Sequence, residues 1–222
     1  MPKRALIERR PWLLLSIATS VAYFIVRDTA MPELYQLLLK GAPLALLAIY
    51  ALLRHHDADS RLVALVMALS AVGAMVLDLY LQEGLWILVV GHGVAISLFL
   101  RHRRSDPSAS QKAAGAALLL LTPLVAWFLP QDRALAPLLA TYALALGGMA
   151  AAGWMSAFPR YRVGIGATLL VAAGLIGLAQ YGPLAASALP DTIAWPLYYA
   201  GQFLVCTGVV QTLRKWELFG ER

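Results

Sequence analysis

Eight runs of apolar residues, each 16 to 23 residues long, recur along almost the whole chain. About 20 consecutive apolar residues are needed to cross the hydrocarbon core of a bilayer as an α-helix. The chain is 60% hydrophobic and only 14% charged, whereas a soluble domain carries about 25% charged residues. Because so few charges cannot form a water-facing surface, the sequence predicts an all-α, polytopic membrane protein.

The segments between these runs are short, so consecutive helices are predicted to be antiparallel neighbours in one transmembrane domain covering residues 1–222. The predicted spans are residues 12–27, 34–53, 62–82, 84–100, 113–130, 134–156, 163–181 and 192–213. A basic start precedes the first run, which is also a feature of signal peptides. Residues 27–30 (Arg-Asp-Thr-Ala) are a poor cleavage site, so we predict that this run is retained as a span.

The Lys and Arg residues are distributed unevenly between the two sides of this arrangement. With the N-terminus inside, 15 of the 18 fall in cytoplasmic segments: Lys3, Arg4, Arg9, Arg10, Arg54, Arg61, Arg101, Arg103, Arg104, Lys112, Arg160, Arg162, Arg214, Lys215 and Arg222. Arg27 and Arg133 lie on the opposite side. This asymmetry predicts cytoplasmic termini in the cell (inner or plasma) membrane. The formal charge of +6 therefore indicates topology and contact with anionic headgroups, not nucleic-acid binding.

Six polar side chains from five different spans fall at similar depth inside the predicted helices. They are Lys40, Asp78, His92, Tyr142, Tyr199 and Gln202. Counted at about 1.5 Å per residue from the outer helix ends, all lie roughly 6–15 Å deep. An ionisable side chain at the bilayer centre costs about 2.5–3.5 kcal/mol, so each requires a reason. Their shared depth predicts a polar cavity that opens toward the outer face.

Simpler explanations exist for the ionisable members of this set. Lys40 and Asp78 lie close enough to the interface to extend into the headgroups, and a neutral His92 could bond to a neighbouring carbonyl. Since Cys206 is the only cysteine, an intramolecular disulfide and a Cys-based metal cluster are excluded. His92 is the only histidine inside a span, which excludes bis-histidine haem, and we predict no cofactor or metal. Residues 55–59 (His-His-Asp-Ala-Asp) are interpreted as a solvated turn.

Five segments, in order along the chain, resemble the YhhN family, whose eukaryotic members include lysoplasmalogenases. Residues 39–43 resemble its Lys-Pro segment with two residues inserted, and residues 70–74 resemble its Ser-x-x-Gly-Asp motif. Gly91-His92 with Phe99 is similar to its histidine helix. Residues 166–174 follow Gly-Ala-x-Leu-Phe-x-x-Ser-Asp, and residues 198–202 follow Tyr-Tyr-x-x-Gln. The resemblance covers about residues 38–213 and implies the same eight-span plan.

The resemblance implies hydrolysis of the vinyl-ether bond of a lysoplasmalogen or a related ether lipid, which would be the substrate within the membrane. The family's two aspartates, which are thought to be catalytic, correspond to Ala74 and Gly174. Asp78 lies one helical turn beyond Ala74 on the same face and is predicted to replace one of them. Asp78 and His92 are therefore the candidate catalytic residues. The candidate substrate-binding residues are Lys40, Tyr142, Tyr199 and Gln202.

Two other classes of function stay open. With both aspartates replaced, the chain could be a non-catalytic relative that binds lipid. It could also be a small membrane transporter, although the internal repeats and broken helices of many transporters are not evident in the sequence.

The charge asymmetry makes a direct prediction about topology. A reporter fused after Arg222 is expected to read as cytoplasmic, and one inserted at Ser187 is expected to read as external. A cytoplasmic signal from the Ser187 fusion would contradict the assignment.

Overall fold

The computed structural model of the protein describes residues 10–54 and 57–219, and these ranges contain eight α-helices. The helices are α1 (Arg10–Val26), α2 (Glu33–Arg54), α3 (Ala58–Leu79), α4 (Leu81–Arg101), α5 (Ala109–Phe128), α6 (Ala136–Met155), α7 (Ile165–Leu178) and α8 (Leu189–Phe219). A π-helical turn, Arg160–Gly164, directly precedes α7. Apart from one isolated bridge between Arg103 and Ser156, the described ranges show no β pairing. The all-α class is confirmed.

Seven helical segments, counted with the short 3-10 and π turns that adjoin α6 and α7, are long and apolar enough to cross a membrane, and α1, apolar over Pro11–Val26, is shorter. Large apolar side chains cover their outer surfaces: Phe128 is 70% exposed, Ile25 67% and Leu120 65%. Exposed apolar area of this extent is suited to lipid contact. The chain is thus a multi-pass helical membrane protein, while the eighth span and the orientation stay predictions. Of the basic residues used for orientation, Lys3, Arg4, Arg9 and Arg222 lie outside the described residues, as do His55 and His56 of the predicted turn.

Two compact units make up the chain, residues 1–91 with 210–222, and residues 92–209. The predicted single domain stays a prediction. In the first unit, the Ser16 hydroxyl of α1 donates a 2.8 Å hydrogen bond to the Pro43 carbonyl of α2. At Gly41, a Cβ atom would lie 2.5 Å from Met75 Sδ, so α2 and α3 approach closely there. Asp57 caps α3 by accepting a 2.8 Å hydrogen bond from the Ser60 amide, as N-cap aspartates typically do.

The sequence predicted the break between α3 and α4 at the polar residues 82–84, but the structure places it at Tyr80. Tyr80 is extended, with φ −143° and ψ 101°, and α4 begins at Leu81. Glu83 therefore lies in the first turn of α4, where the helix dipole favours a negative charge. A Cβ on Gly84 would lie 2.5 Å from Leu77 Cα, so the missing side chain permits the tight reversal. At the other end of the chain, α8 continues to Phe219, beyond the predicted end at residue 213.

In the second unit, backbone hydrogen bonds join the connections at each end of the helices. The Ala157 amide donates to the His102 carbonyl over 2.7 Å, which links the ends of α4 and α6. The Gln131 amide donates to the Tyr181 carbonyl over 2.9 Å, which links the loop after α5 to the end of α7.

Glycines permit close helix packing in this unit. A Cβ on Gly201 of α8 would lie 2.8 Å from the carbonyl oxygen of Gly166 in α7, and the converse distance is 2.9 Å. Since each obstacle is backbone, neither helix can accommodate a larger residue without moving. Small residues at helix interfaces are the usual means of close approach in membranes.

Gly201→Ala is therefore expected to destabilise the protein by about 1–3 kcal/mol, because the added methyl group overpacks the α7–α8 contact. The matched control is Gly93→Ala, since nothing lies within 4 Å of a Cβ at Gly93; there the better helix propensity of alanine should leave stability equal or higher. Unfolding of both variants in detergent micelles measures the difference. Equal stability of the two variants would contradict the packing assigned to Gly201.

Candidate functional site

Lys40 and Asp78, which the sequence placed at similar depth, form an ion pair in the first unit. Lys40 Nζ on α2 lies 2.5 Å from Asp78 Oδ1 on α3, and it lies 5.9 Å from the centroid of the Tyr23 ring on α1. The Lys40 side chain is 13% exposed and that of Asp78 is 43% exposed. The pairing offsets the cost of holding a lysine charge among apolar helices. It also leaves a large part of the carboxylate accessible.

Asp78 does not share the environment of Ala74, one helical turn earlier on α3. Ala74 is 5% exposed and belongs to the buried core, whereas Asp78 is exposed. A rise of about 5.4 Å per turn separates the two positions along the axis. The carboxylate of Asp78 therefore lies at the protein surface, one turn beyond the buried Ala74 and beside Lys40.

His92 of α4 is buried in the second unit, at 4% exposure. Its ring lies 5.7 Å from the ring of Tyr142 on α6, centroid to centroid, at an interplanar angle of 45°. Among the residues that the structure describes, its Nε2 atom has no hydrogen-bond partner. A buried polar atom left without a partner costs about 1–3 kcal/mol, so a native protein that retains one calls for an explanation such as a ligand or water.

Gly174 of α7 lies next to Tyr142. A Cβ atom on Gly174 would be 3.3 Å from the Tyr142 hydroxyl oxygen and 2.6 Å from Leu146 Cδ2. The residue at which the family resemblance expects an aspartate therefore faces the tyrosine that contacts His92. An acidic side chain there would have to displace the end of the Leu146 side chain.

Tyr199 and Gln202 lie on α8, in the same unit as His92. Tyr199 is partly buried, and its ring lies 6.1 Å from that of Phe203 one turn later. Gln202 is 2% exposed and directly follows Gly201, where α8 packs against α7. The structure thus brings Lys40 to Asp78 and His92 to Tyr142, and the cavity that would contain all six residues stays a prediction.

Two residues that contact the candidate site residues were absent from the sequence prediction. Tyr23 lies four residues before the predicted end of the first span, and the same depth count would have found it. Leu146 carries no chemical signal in the sequence, and only its position beside Gly174 gives it a role.

An apolar groove of about 570 Å³ opens beside the first half of α2. It is lined by Met31, Pro32, Tyr35, Leu38, Leu39 and Ala42. Within the described ranges, no three His, Cys, Asp or Glu side chains are grouped closely enough to hold a metal ion.

The model of the YhhN family matches residues 35–209. The chain belongs to the YhhN family. Comparisons with curated proteins and with solved structures found no match. The matched region includes all six polar residues and both candidate acid positions, while α1 lies outside it.

This YhhN family member has one of its two candidate acid positions in each unit. Ala74 is buried in the first, and Gly174 lies against Tyr142 in the second. Neither position carries a carboxylate. Asp78 lies one helical turn beyond Ala74, and the Tyr142 hydroxyl lies beside Gly174.

Proposed function

We propose that this YhhN family member is a lysoplasmalogenase-like hydrolase of the cell membrane that cleaves the vinyl-ether bond of a lysoplasmalogen or a related ether lipid. Family membership and the helical membrane fold support the class of protein. The observation that carries the chemistry is the buried His92 ring, whose Nε2 atom lacks a hydrogen-bond partner among the described residues and which lies beside the Tyr142 ring.

Vinyl-ether hydrolysis requires three things of a site. An acid must protonate the alkene carbon, which generates an oxocarbenium-like cation on the adjacent carbon and oxygen. Water then adds to that carbon and loses a proton, and the resulting hemiacetal breaks down to a fatty aldehyde and the glycerol hydroxyl of the glycerophospho-amine. A proton donor, a dipole or negative charge that stabilises the cation, and a bound water are therefore needed.

The chain offers two candidates for the acid, Asp78 and His92. His92 is buried, and no described residue bonds to its Nε2 atom, so a proton held there would be shielded from bulk solvent. Asp78 is ion-paired with Lys40, which suits a carboxylate that stabilises positive charge. The two residues lie in different units, and their contributions are best separated by experiment.

Features near Lys40 support a lipid substrate. The ammonium group of Lys40, two turns inside α2, is a natural partner for a lipid phosphate, and the apolar groove is lined by residues on either side of Lys40 in the sequence. A hydrocarbon chain in the groove would place a headgroup near the Lys40–Asp78 pair.

The proposal predicts aldehyde release from a lysoplasmalogen by the purified protein in detergent. His92→Gln and Asp78→Asn should each preserve folding, and the variant that removes the acid should lose at least about 100-fold in rate, because general acid catalysis contributes about 10²–10⁴. His102→Gln is the control for the histidine, since His102 packs on Phe158, 5.2 Å away. Asp28→Asn is the control for the carboxylate, because Asp28 is also exposed and ion-paired, with Arg27.

Full activity in both His92→Gln and Asp78→Asn would remove these residues from the mechanism. If only Asp78→Asn stays fully active, His92 is the acid.

Restoring the two missing acids tests the alternative function, a lipid-binding relative without turnover. This alternative is favoured by one observation, the absence of a carboxylate from both Ala74 and Gly174. The Ala74→Asp/Gly174→Asp protein is expected to release aldehyde faster than the natural protein, while Ala74→Asn/Gly174→Asn, which has the same shape without the acids, should not. Leu146→Val can be added to both variants to make room beside Gly174. No aldehyde from the natural or the double-Asp protein would favour lipid binding.

A further inference from the structure

One end of the unit formed by residues 92–209 carries six basic side chains from three separate stretches of sequence. These residues, which we name the basic platform, are Arg101, Arg103, Arg104, Lys112, Arg160 and Arg162. Asp106 is the only acidic residue in the segments 101–112 and 156–162. Five of the six basic residues are exposed, and Arg104 is partly buried.

Backbone contacts hold these stretches together. The Arg104 amide donates a 3.1 Å hydrogen bond to the Met155 carbonyl, and the Ala157 amide donates a 2.7 Å hydrogen bond to the His102 carbonyl. Arg103 and Ser156 form the antiparallel bridge between these two bonds. The loop after α4 and the loop after α6 are therefore fixed side by side, although about 50 residues separate them in sequence.

Trp154 extends this fixed region to α5 and α7. Its carbonyl accepts a 3.0 Å hydrogen bond from the Gln111 side chain, one residue before Lys112. Its indole Nε1 donates to Thr168 Oγ1 over 2.9 Å, and its ring lies 3.0 Å from where a Cβ on Gly164 would be. The backbone that carries the basic side chains is thus organised before any ligand binds, which lowers the entropic cost of binding.

The platform lies where helices leave the membrane. Candidate spans end at Arg101 and Met155 and begin at Ala109 and Arg160. The side chain of Tyr161, between two of the arginines, is 70% exposed, and Arg160 lies 4.8 Å over its ring. Exposed tyrosines at the ends of spans are typical of the interface between lipid and water.

We propose that the basic platform binds the phosphate-bearing headgroup of an anionic phospholipid in the adjacent leaflet. Several Lys and Arg side chains with one acidic neighbour give the charge that such a headgroup requires, and basic pockets between transmembrane helices bind anionic headgroups in this way. In the described part of the chain, Arg103 and Lys112 form no ion pair, so both charges are available to a phosphate. This site is separate from His92, which is nine residues from Arg101 on α4.

The test is lipid binding to the full-length protein purified in neutral detergent, measured by native mass spectrometry during titration with phosphatidylglycerol or phosphatidylcholine. Phosphatidylglycerol is expected to bind at least tenfold more tightly, with an affinity that falls as salt is raised. The Arg103→Gln/Lys112→Gln/Arg160→Gln protein should lose at least tenfold in phosphatidylglycerol affinity, because each basic residue near the surface contributes about fivefold. The matched control, Arg61→Gln/Arg214→Gln/Lys215→Gln, removes three basic charges from the other unit and should stay within about threefold of the natural protein.

Equal binding of the two lipids by the natural protein would overturn the proposal. So would an equal loss of affinity in the platform variant and the control variant. Competition by glycerol phosphate at the same concentration as the lipid would show a site for free phosphate and would also overturn it. Should the triple variant not fold, Arg103→Gln and Arg160→Gln are measured singly; each is expected to weaken binding about threefold or more, and unchanged affinity in both contradicts the assignment.

Discussion

The requirement that governs this structure is that backbone amides and carbonyls inside the hydrocarbon core must be satisfied within the protein. Each long apolar run meets it by forming a helix. Pro43 lies inside α2 and, lacking an amide hydrogen, cannot bond to the carbonyl four residues earlier. The Ser16 hydroxyl of α1 donates to the Pro43 carbonyl, so the part of α2 that contains the proline is also a point of contact with α1. The same part of α2 carries Lys40, three residues before Pro43.

Once the backbone is satisfied, helices in lipid associate mainly through close packing, because the hydrophobic effect gives little preference between lipid and protein contacts. This explains why packing requires glycine at some positions of this chain and not at others. At Gly166 and Gly201 the opposing atoms are backbone oxygens, and the absence of side chains is a packing requirement. At Gly174 the opposing atoms are the ends of the Leu146 and Tyr142 side chains, which can move. Packing therefore does not explain why a carboxylate is missing from that position.

The sequence predicted the helices well because hydropathy over 20 residues reflects the same transfer energetics that form the spans. It placed Lys40 and Asp78 at similar depth in consecutive spans but did not predict their ion pair, because a depth count does not specify which side chains meet. The sequence misplaced the α3–α4 break, because polar residues mark loops only on average. Glu83 and Gly84 are equally suited to the first turn of a helix. Tertiary facts such as the unpartnered Nε2 of His92 have no sequence signal, because they depend on which atoms of other helices surround the ring.

The distribution of charge in the candidate site bears on how it could work. Among the described residues, His92 is the only His, Lys, Arg, Asp or Glu side chain that is buried. Asp78 meets its lysine at a position that is 43% exposed, and the buried turn at Ala74 carries no acid. A carboxylate at Asp78, and none at the buried Ala74, avoids the desolvation of a second charge on the buried face, which is costly inside a membrane. It also moves the negative charge away from the buried face of α3. Within the proposed hydrolysis, His92 beside Tyr142 is therefore the ionisable group shielded from bulk water, whereas Asp78 beside Lys40 is the accessible carboxylate.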